Sequence, residues 1–487
     1  MKAIVAYVNT IVVDGSGVQS LNSLITSIGS EDSIIYIYEA ISTTANLIVP
    51  ATCAIVIDAN GSINQSTYTL EIRGAFSAPP EKVFMGTGRV SFWIQSVAEI
   101  LPNWFGAIGD NNAANATTNV TAFTMAMNAV STAYANTPLT TRKLGHKVKV
   151  LPGIYYVDTT ITIAGEYTIV DAYGASFRYT GATGGCFKTT VSNVSIFGPF
   201  ITLHVDNANV YGIHIYRCNT NWIRDVKVVE NTAGMLSNVG IYIESNGGSV
   251  GITNRIENFL ADCGKSIDIY CSVGIGSAVA SNYFYHIVDK SYSGISIRGM
   301  SGNYFDFIMS DIDNSGAGYA ATIVKVGAVG YSMGNELVFA KMDTCLGISI
   351  EAGSTNQLIT KLDASSGTGG VSLAGNASNY LEILDVDYPV NTYKTSTFTA
   401  NDTTPSVRGK KVAKTANALA RTITMLDDGV EGQIVRVILN DNNTTIDFTG
   451  SHLKGNAGVD WVPRQFDYMD CVFDGTDWYC DVVDCTI

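Results

Sequence analysis

A chain of 487 residues has room for more than one domain with a substantial core. With 46% hydrophobic but only 15% charged residues, 47 Gly, 25 Tyr and 10 Pro, the composition excludes a disordered chain and fits a β-rich protein with a polar, weakly charged surface. The 43 acidic and 29 basic residues leave a net charge of −14, which disfavours general binding to nucleic acid or to an anionic membrane. No apolar run reaches transmembrane length. Nine Cys lack any CxxC pair and the five His lack metal-ligand spacing, so neither metal nor cofactor is expected. Buried free thiols in a reducing cytoplasm are the expectation, and the closely spaced Cys471, Cys480 and Cys485 leave a bridge open there.

The start, "MKAIVAYVNTIVVDGSG", reads as mature strand rather than signal peptide, because its short apolar run meets Asp14 without a small-residue cleavage site. Alternating segments follow: "SIIYIYEA", "CAIVIDANGSI", "YTLEIRGAF" and "KVFMGTGRVSF" make residues 1–100 a strand-rich prefix module. "LPNWFGAIGD" (101–110) predicts an aromatic-anchored turn, with Pro102 stiffening the entry and Gly106 and Gly109 permitting positive φ. Val120, Phe123, Met127 and Val130 in "TNVTAFTMAMNAVSTAYA" have helical spacing and predict an amphipathic helix over 118–135. "KVKVLPGIYYVDTTITI" then reads as strand, Pro-Gly turn, strand.

From 210 to 390 a short strand recurs as "GIHIY", "GIYIE", "SIDIY", "GISIR", "TIVKV", "GISIE" and "GVSLA". Between successive copies lies Asn followed by a large apolar residue: "NWI", "NRI", "NYF", "NYF", "NEL", "NQL" and "NYL". Two short strands per repeat of this length specify a solenoid, here a parallel β-helix. The fold class is therefore all-β. Ile213, Ile241, Ile267, Ile295 and Ile348 are predicted to stack in one interior column, and the Asn residues to hydrogen-bond from rung to rung. The 118–135 helix is expected to cap the N-terminal end of this stack, whose open strand edges need covering. The β-helix is assigned to 101–393. After a Thr/Asn-rich linker, alternating strands and Gly or Asn/Asp turns predict a C-terminal antiparallel, sandwich-like β domain over 394–487.

"LPNWFGAIGD…AFTMAMNAV…VKVLPGIYYV" resembles the opening of the pectate-lyase-like superfamily of right-handed β-helices, whose pattern is WFGA-x-GDG, a linker, A-F/I-x-x-A, then a strand ending P-P/A-G-x-Y. The motif covers residues 100–160, and within the superfamily the chain looks most like bacteriophage tailspikes with polysaccharide-depolymerase activity. Where the pattern has GDG this chain has Asp110, Asn111 and Asn112, so no metal or acidic role is assigned to that linker. The resemblance implies a virion-tail protein, assembled in host cytoplasm and extracellular after release, with phage tail proteins and a capsule or O-antigen polysaccharide as partners. The C-terminal domain resembles those used for trimer formation or sugar binding, and with the linker it suggests a homotrimer.

No linear catalytic signature is present, so a site must be sought on the outward columns. One column reads His214, Tyr242, Asp268, Ser296, Ser349 and Ser372, and its neighbour reads Tyr216, Glu244, Tyr270, Arg298, Lys325, Glu351 and Ala374. A third, beside the Asn element, holds Trp222, Arg255, Tyr283, Tyr304, Glu336, Gln357 and Tyr380. Aromatic rings on a rigid face stack on pyranose faces while polar groups take the hydroxyls. Taken singly, such residues merely solvate a β surface. Their concentration between 214 and 304 points to a groove built from His214, Tyr216, Trp222, Tyr242, Arg255, Tyr270, Tyr283, Arg298 and Tyr304.

Glu244 and Asp268 fall mid-strand in adjacent rungs, roughly 7–9 Å apart, a spacing that suits an inverting glycosidase. Asp306, Asp311 and Asp313 form the alternative cluster. Glu230, Asp262, Asp289 and their equivalents, at strand ends, read as turn chemistry. On a uronic-acid substrate β-elimination becomes the alternative, with Arg298 or Lys325 neutralising the carboxylate and Tyr242, Tyr270 or His214 as base. A non-cleaving adhesin or structural fibre, and a free-standing lyase or epimerase, complete the set of readings.

Overall fold

The computed structural model describes residues 9–13, 20–93, 95–135, 146–231, 237–245, 253–271, 282–291, 293–298, 303–311, 321–324, 336–343, 348–350, 357–362, 371–373, 381–384, 396–408 and 410–485. Two compact units divide the chain: Met1–Gly369 with Leu373–Asp385, and Gly370–Ser372 with Val386–Ile487. Of the opening segment read as mature strand, residues 1–8 lie outside the described set and Asn9–Val13 is a strand. Among the described residues no helix is long and apolar enough to cross a membrane.

Parallel coiling begins well before the repeats. Asn9–Val13, Ser33–Ile37, Cys53–Ile57 and Phe76–Ser77 pair in parallel, as do Ala40–Ser42 with Ser62–Asn64, and Leu47–Val49 with Leu70–Ile72 and Val90–Phe92. Helix Leu21–Ile28, capped by the Ser20 side chain, buries Leu21, Ile25 and Ile28 and ties to the next coil through Asn22 and the backbone of Thr44 and Ala45. These coils end on the Trp-Phe pair. Trp104 packs edge-on to Phe76 at 5.1 Å and Phe105 stacks on Phe84 at 5.2 Å, while the Trp104 indole donates to the Pro79 carbonyl. Gly106 has φ 103°, a left-handed value that a side chain would resist. The aromatic-anchored turn is thus the plug between two stacks of coils.

Helix Ala116–Ala135 follows, burying Ala122, Phe123, Ala126 and Met127. It packs on Val90–Phe92 on one side and on Gly153–Val157 and Ile161–Ile163 on the other, closing the N-terminal end of the coils that start at Lys147. Fully buried Asn119 fastens it, accepting from the Ile108 N–H at 2.7 Å and donating to the Tyr156 carbonyl at 3.0 Å. Asp110 is spent locally on Asn115 and the Asn112 N–H. The side chain of Val130 lies outside the described residues.

Starting at Glu99–Ile100, which pairs with Lys147–Lys149, the coils build a 15-stranded and a nine-stranded parallel sheet. In the nine-stranded sheet Ile161, Phe187, Ile213, Ile241, Ile267, Ile295, Ala321 and Ile348 follow one another in register, and every member through Ile295 is fully buried. The predicted Ile column is therefore real, with Ala321 occupying the rung between Ile295 and Ile348. The glycines at 212 and 240 have their own cause. A Cβ at Gly212 would stand 2.6 Å from the Gly240 carbonyl oxygen and 2.7 Å from Val228, and one at Gly240 2.6 Å from the Ser266 carbonyl oxygen and 2.8 Å from the Phe259 ring, so the next coil and the facing sheet together leave no room.

The Asn element forms the predicted ladder. Asn221 Nδ2 donates to Asn254 Oδ1 at 2.9 Å, Asn254 to Asn282 at 2.9 Å, and Asn282 to Asn303 at 2.8 Å. The side-chain oxygens of Asn221, Asn254 and Asn282 also accept the backbone N–H groups of Val194, Asn221 and Asn254. A second column turns the corner: Gly198, Asp225, Asn258 and His286 all have positive φ. Before it the coil has two separate strands, Trp222–Arg224 and Lys227–Glu230, and afterwards the single strand Arg255–Asp262 pairs with both. The corner persists as a bend inside the fused strand, where Asn and Asp tolerate the left-handed backbone better than other side chains do.

In the second unit, Ile434–Ile438, Tyr468–Phe473 and Trp478–Val483 form an antiparallel centre, flanked by parallel pairings to Val412–Lys414 and Leu453–Gly455. Val435, Val437, Met469 and Trp478 fill its core. Cys471 and Cys480, directly opposed on adjacent strands, form a disulfide, whereas Cys53, Cys186, Cys218 and Cys263 are buried thiols and Cys485 is an exposed one.

The Asn ladder gives a direct test. Asn254→Ala orphans two buried donors of Asn221, one of which keeps only the Cys218 sulfur, and should cost about 1–3 kcal/mol. The expected outcome is a lower urea midpoint at unchanged slope. An unchanged midpoint would show that the ladder contributes no stability.

Candidate functional site

The nine-stranded sheet carries the first two outward columns. Lys188, His214, Tyr242, Asp268 and Ser296 are successive partners in one, and Tyr216, Glu244, Tyr270 and Arg298 in the other. The next partner of Arg298 is Val324, and Lys325, expected in that column, lies outside the described residues. Likewise Glu336 pairs with Leu358 rather than Gln357, next to a register shift in that pair of strands.

Although they face outward, the central residues are nearly covered: His214, Tyr242 and Asp268 are only 6%, 9% and 4% exposed. Tyr211 stacks on Tyr242 with ring centres 4.5 Å apart, and the His214 ring lies 5.0 Å from Tyr242 and 5.1 Å from Tyr211. His214 Nε2 meets Glu244 Oε2 at 3.2 Å. Burial, helped by the Lys188 charge, pushes the His214 pKa down to about 4, so its ring is neutral at pH 7. In that state its Nε2–H can donate to the carboxylate, and among the described residues the other Glu244 oxygen has no hydrogen-bond partner. Burial first, and the Glu244 charge second, raise the Tyr242 pKa far above the ordinary phenol value. Tyr242 is therefore a lasting O–H donor and unsuited to be the base of an elimination.

Asp268 is fully engaged. Arg298 donates through Nε to Oδ1 at 3.0 Å and through Nη2 to Oδ2 at 2.6 Å, and Lys265 Nζ donates to Oδ2 at 3.1 Å. Such a bidentate pair is strong and directional. Arg298 also lies 4.6 Å above the Tyr270 ring. At the other end Lys188 and Arg217 stand over the ring of Tyr216, at 4.2 and 4.6 Å.

The remaining expected binding residues occupy the other sheet. Trp222, Arg255, Tyr283 and Tyr304 form one column of the 15-stranded sheet, and Phe197, Arg224, Glu257, Tyr285 and Asp306 form its neighbour. There the Trp222 indole donates to Glu257 at 2.9 Å, Arg255 pairs with Glu257, and Arg224 lies over both Phe197 and Trp222. The structure thus divides the expected groove between two faces. Asp306 and Asp311 stand near opposite ends of the strand Tyr304–Asp311, and Asp313 is outside the described residues. Asp289 accepts from the N–H and hydroxyl of Ser291, which is the turn chemistry expected of strand-end carboxylates.

Four residues of the first face were missed. Lys188 belongs to "GGCFKT", where Phe replaces the Ile of the repeat, and Lys265 and Tyr211 precede the alternating part of their strands. Arg217 reaches back over Tyr216 from a residue with φ 56°, which no alternation rule anticipates. Among the described residues no group of three or more His, Cys, Asp or Glu is placed to hold a metal ion.

No protein-family model matches the sequence, and no curated protein does. Among solved structures the chain is similar to the Dettilon tailspike protein, at 14% identity over 58% of this chain and 70% of that one, with a TM-score of 0.26. It is also similar to ORF18 of Geobacillus virus E2, at 12% identity over 80% and 77% of the two chains, with a TM-score of 0.34. PfbA, a surface adhesin of Streptococcus pneumoniae, is 12% identical over 80% and 99%, with a TM-score of 0.33. The likeness is one of coiled-strand architecture alone.

The neutral histidines predict a pH dependence. His214 and His146 both have pKa values near 4 through burial, against an ordinary 6.5. Folding favours their neutral forms, so their stability contribution is complete above pH 6.5 and is lost as pH falls towards 4. At 1.36 kcal/mol per unit each contributes up to about 3 kcal/mol. Melting temperature should fall across that window, and less steeply in His214→Gln. Parallel curves for the two proteins would contradict the assignment.

Proposed function

We propose that this chain is a phage tail protein that binds a bacterial surface polysaccharide on the outer face of its nine-stranded sheet and cleaves it by glycoside hydrolysis. One observation carries the reading: a half-buried Glu244 held on one oxygen by a neutral imidazole, with Tyr216 and Tyr270 on either side of it in the same outward column. The cations held over Tyr216 and Tyr270 suit sugar hydroxyls, and the second carboxylate oxygen suits proton exchange with water or a glycosidic oxygen. Glu244 is the proposed proton carrier. Asp268, the expected second carboxyl, has both oxygens occupied and is proposed instead to hold Arg298 and Lys265 towards sugar hydroxyls.

Elimination, the lyase alternative, would rely on His214 as base, and its products would carry an unsaturated end visible by ultraviolet absorbance. Binding without cleavage is favoured by a specific observation: each of the two expected carboxylates already has a partner in the free protein. In that reading the chain is an adhesin. The proposal also includes a homotrimer docked to phage tail proteins. In the second unit Ile434, Val472 and Tyr479 make a row of exposed apolar side chains across three adjacent strands, a surface suited to contact between copies. Light scattering should give three times the chain mass for the full-length protein.

Amide variants test the chemistry. On a polysaccharide found to be cleaved in a capsule and O-antigen panel, Glu244→Gln should keep binding while cleavage falls by about 10²–10⁴. Asp268→Asn should weaken binding first. Wild-type cleavage by Glu244→Gln would remove Glu244 from the mechanism, and cleavage lost at full binding in Asp268→Asn would restore Asp268 as a proton carrier.

A further inference from the structure

We infer that this face takes an acidic polysaccharide, and that Lys188 and Arg217, standing over Tyr216, bind a carboxylate of its uronic-acid residues. The inference rests on the polysaccharide reading and adds the substrate class and the residues that select it. Its basis is an imbalance in pairing. On the nine-stranded sheet the other described outward cations, Arg298 and Lys265, are matched by Asp268. Lys188 and Arg217 have no carboxylate partner among the described residues and share an aromatic ring instead. A cation on a ring keeps its outer N–H groups for another acceptor.

Local charge agrees. In a chain of net charge −14, this face sets Lys188, Arg217, Lys265 and Arg298 against Glu244 and Asp268. The Arg298 expected to neutralise a substrate carboxylate is already spent on Asp268, which leaves the Lys188–Arg217 pair for that task. Position agrees as well. Tyr216 and Glu244 are register partners one rung apart, about 4.8 Å, which is close to the length of one pyranose. An acidic sugar anchored over Tyr216 therefore sets the adjoining glycosidic bond beside Glu244. Its charge would also offset that of Lys188, one of the two causes that hold the His214 pKa down.

The experiment uses the full-length protein on an array of acidic and neutral capsular polysaccharides, together with carboxyl-reduced versions of each acidic one. Wild-type protein should bind acidic members, lose affinity as salt rises, and bind their carboxyl-reduced versions roughly 10–100-fold more weakly. Lys188→Gln/Arg217→Gln should show the same loss on the acidic form and no further loss on the reduced form, while Lys188→Arg keeps affinity. Equal melting temperatures exclude misfolding as the cause, and a double variant that melts early is replaced by the single Arg217→Gln, expected to show part of the same loss. Equal binding to native and reduced forms, or a folded variant that binds like wild type, overturns the acidic subsite while leaving the polysaccharide reading standing. Absence of wild-type binding to any member overturns both.

Discussion

Each coil of the first unit points its backbone N–H and C=O groups along the stack, where only the next coil can pair them. No coil is stable alone, and everything else in the unit follows from keeping neighbours in register. The buried Asn221–Asn254–Asn282–Asn303 chain makes that register specific, because a slip of one residue would leave amides unpaired in an apolar interior. Close approach of the next coil and the facing sheet at Gly212 and Gly240 excludes side chains at a second fixed point. With both points set, His214 has no choice but to stand one rung from Tyr242, and Tyr216 one rung from Glu244.

On the outer face the same regularity creates an electrostatic problem. Asp268 and His214 are covered by their neighbours, and burying a lone charge is costly. The chain solves it in two ways. Asp268 is paired with both Arg298 and Lys265, and His214 gives up its charge and leans on Glu244 as a neutral donor. A face built like this is stiff before any ligand arrives, so its groups need little ordering on binding.

Residues whose role depends on alternation were legible in the sequence. Ile213 to Ile295, the Asn element, and the placing of His214, Glu244 and Asp268 on outward columns needed only period two and a repeat. Three kinds of feature were not legible. The coils before Val90 lack the repeated Gly-Ile and Asn marks, so their strands could be seen but their parallel stacking could not. The corner formed by Gly198, Asp225, Asn258 and His286 depends on backbone angle, which four different side chains satisfy. Pairings across rungs depend on side-chain reach. Alternation put Trp222 and Tyr242 on comparable outward positions although they belong to different sheets, and the hold of Arg298 on Asp268 is decided by rotamers.

The Asn residues that lock together are separated by 33, then 28, then 21 positions along the chain. Their contacts are alike despite that spread, so the span between two Asn side chains is no part of what holds the stack. Connections leaving the nine-stranded sheet can lengthen, shorten or exchange sequence at little thermodynamic expense, since closure entropy grows only slowly with length. A protein of this design can therefore diversify the rim beside its outer face, one connection at a time, while the interior is inherited unchanged. The architecture separates what the stack requires from what it leaves free to drift.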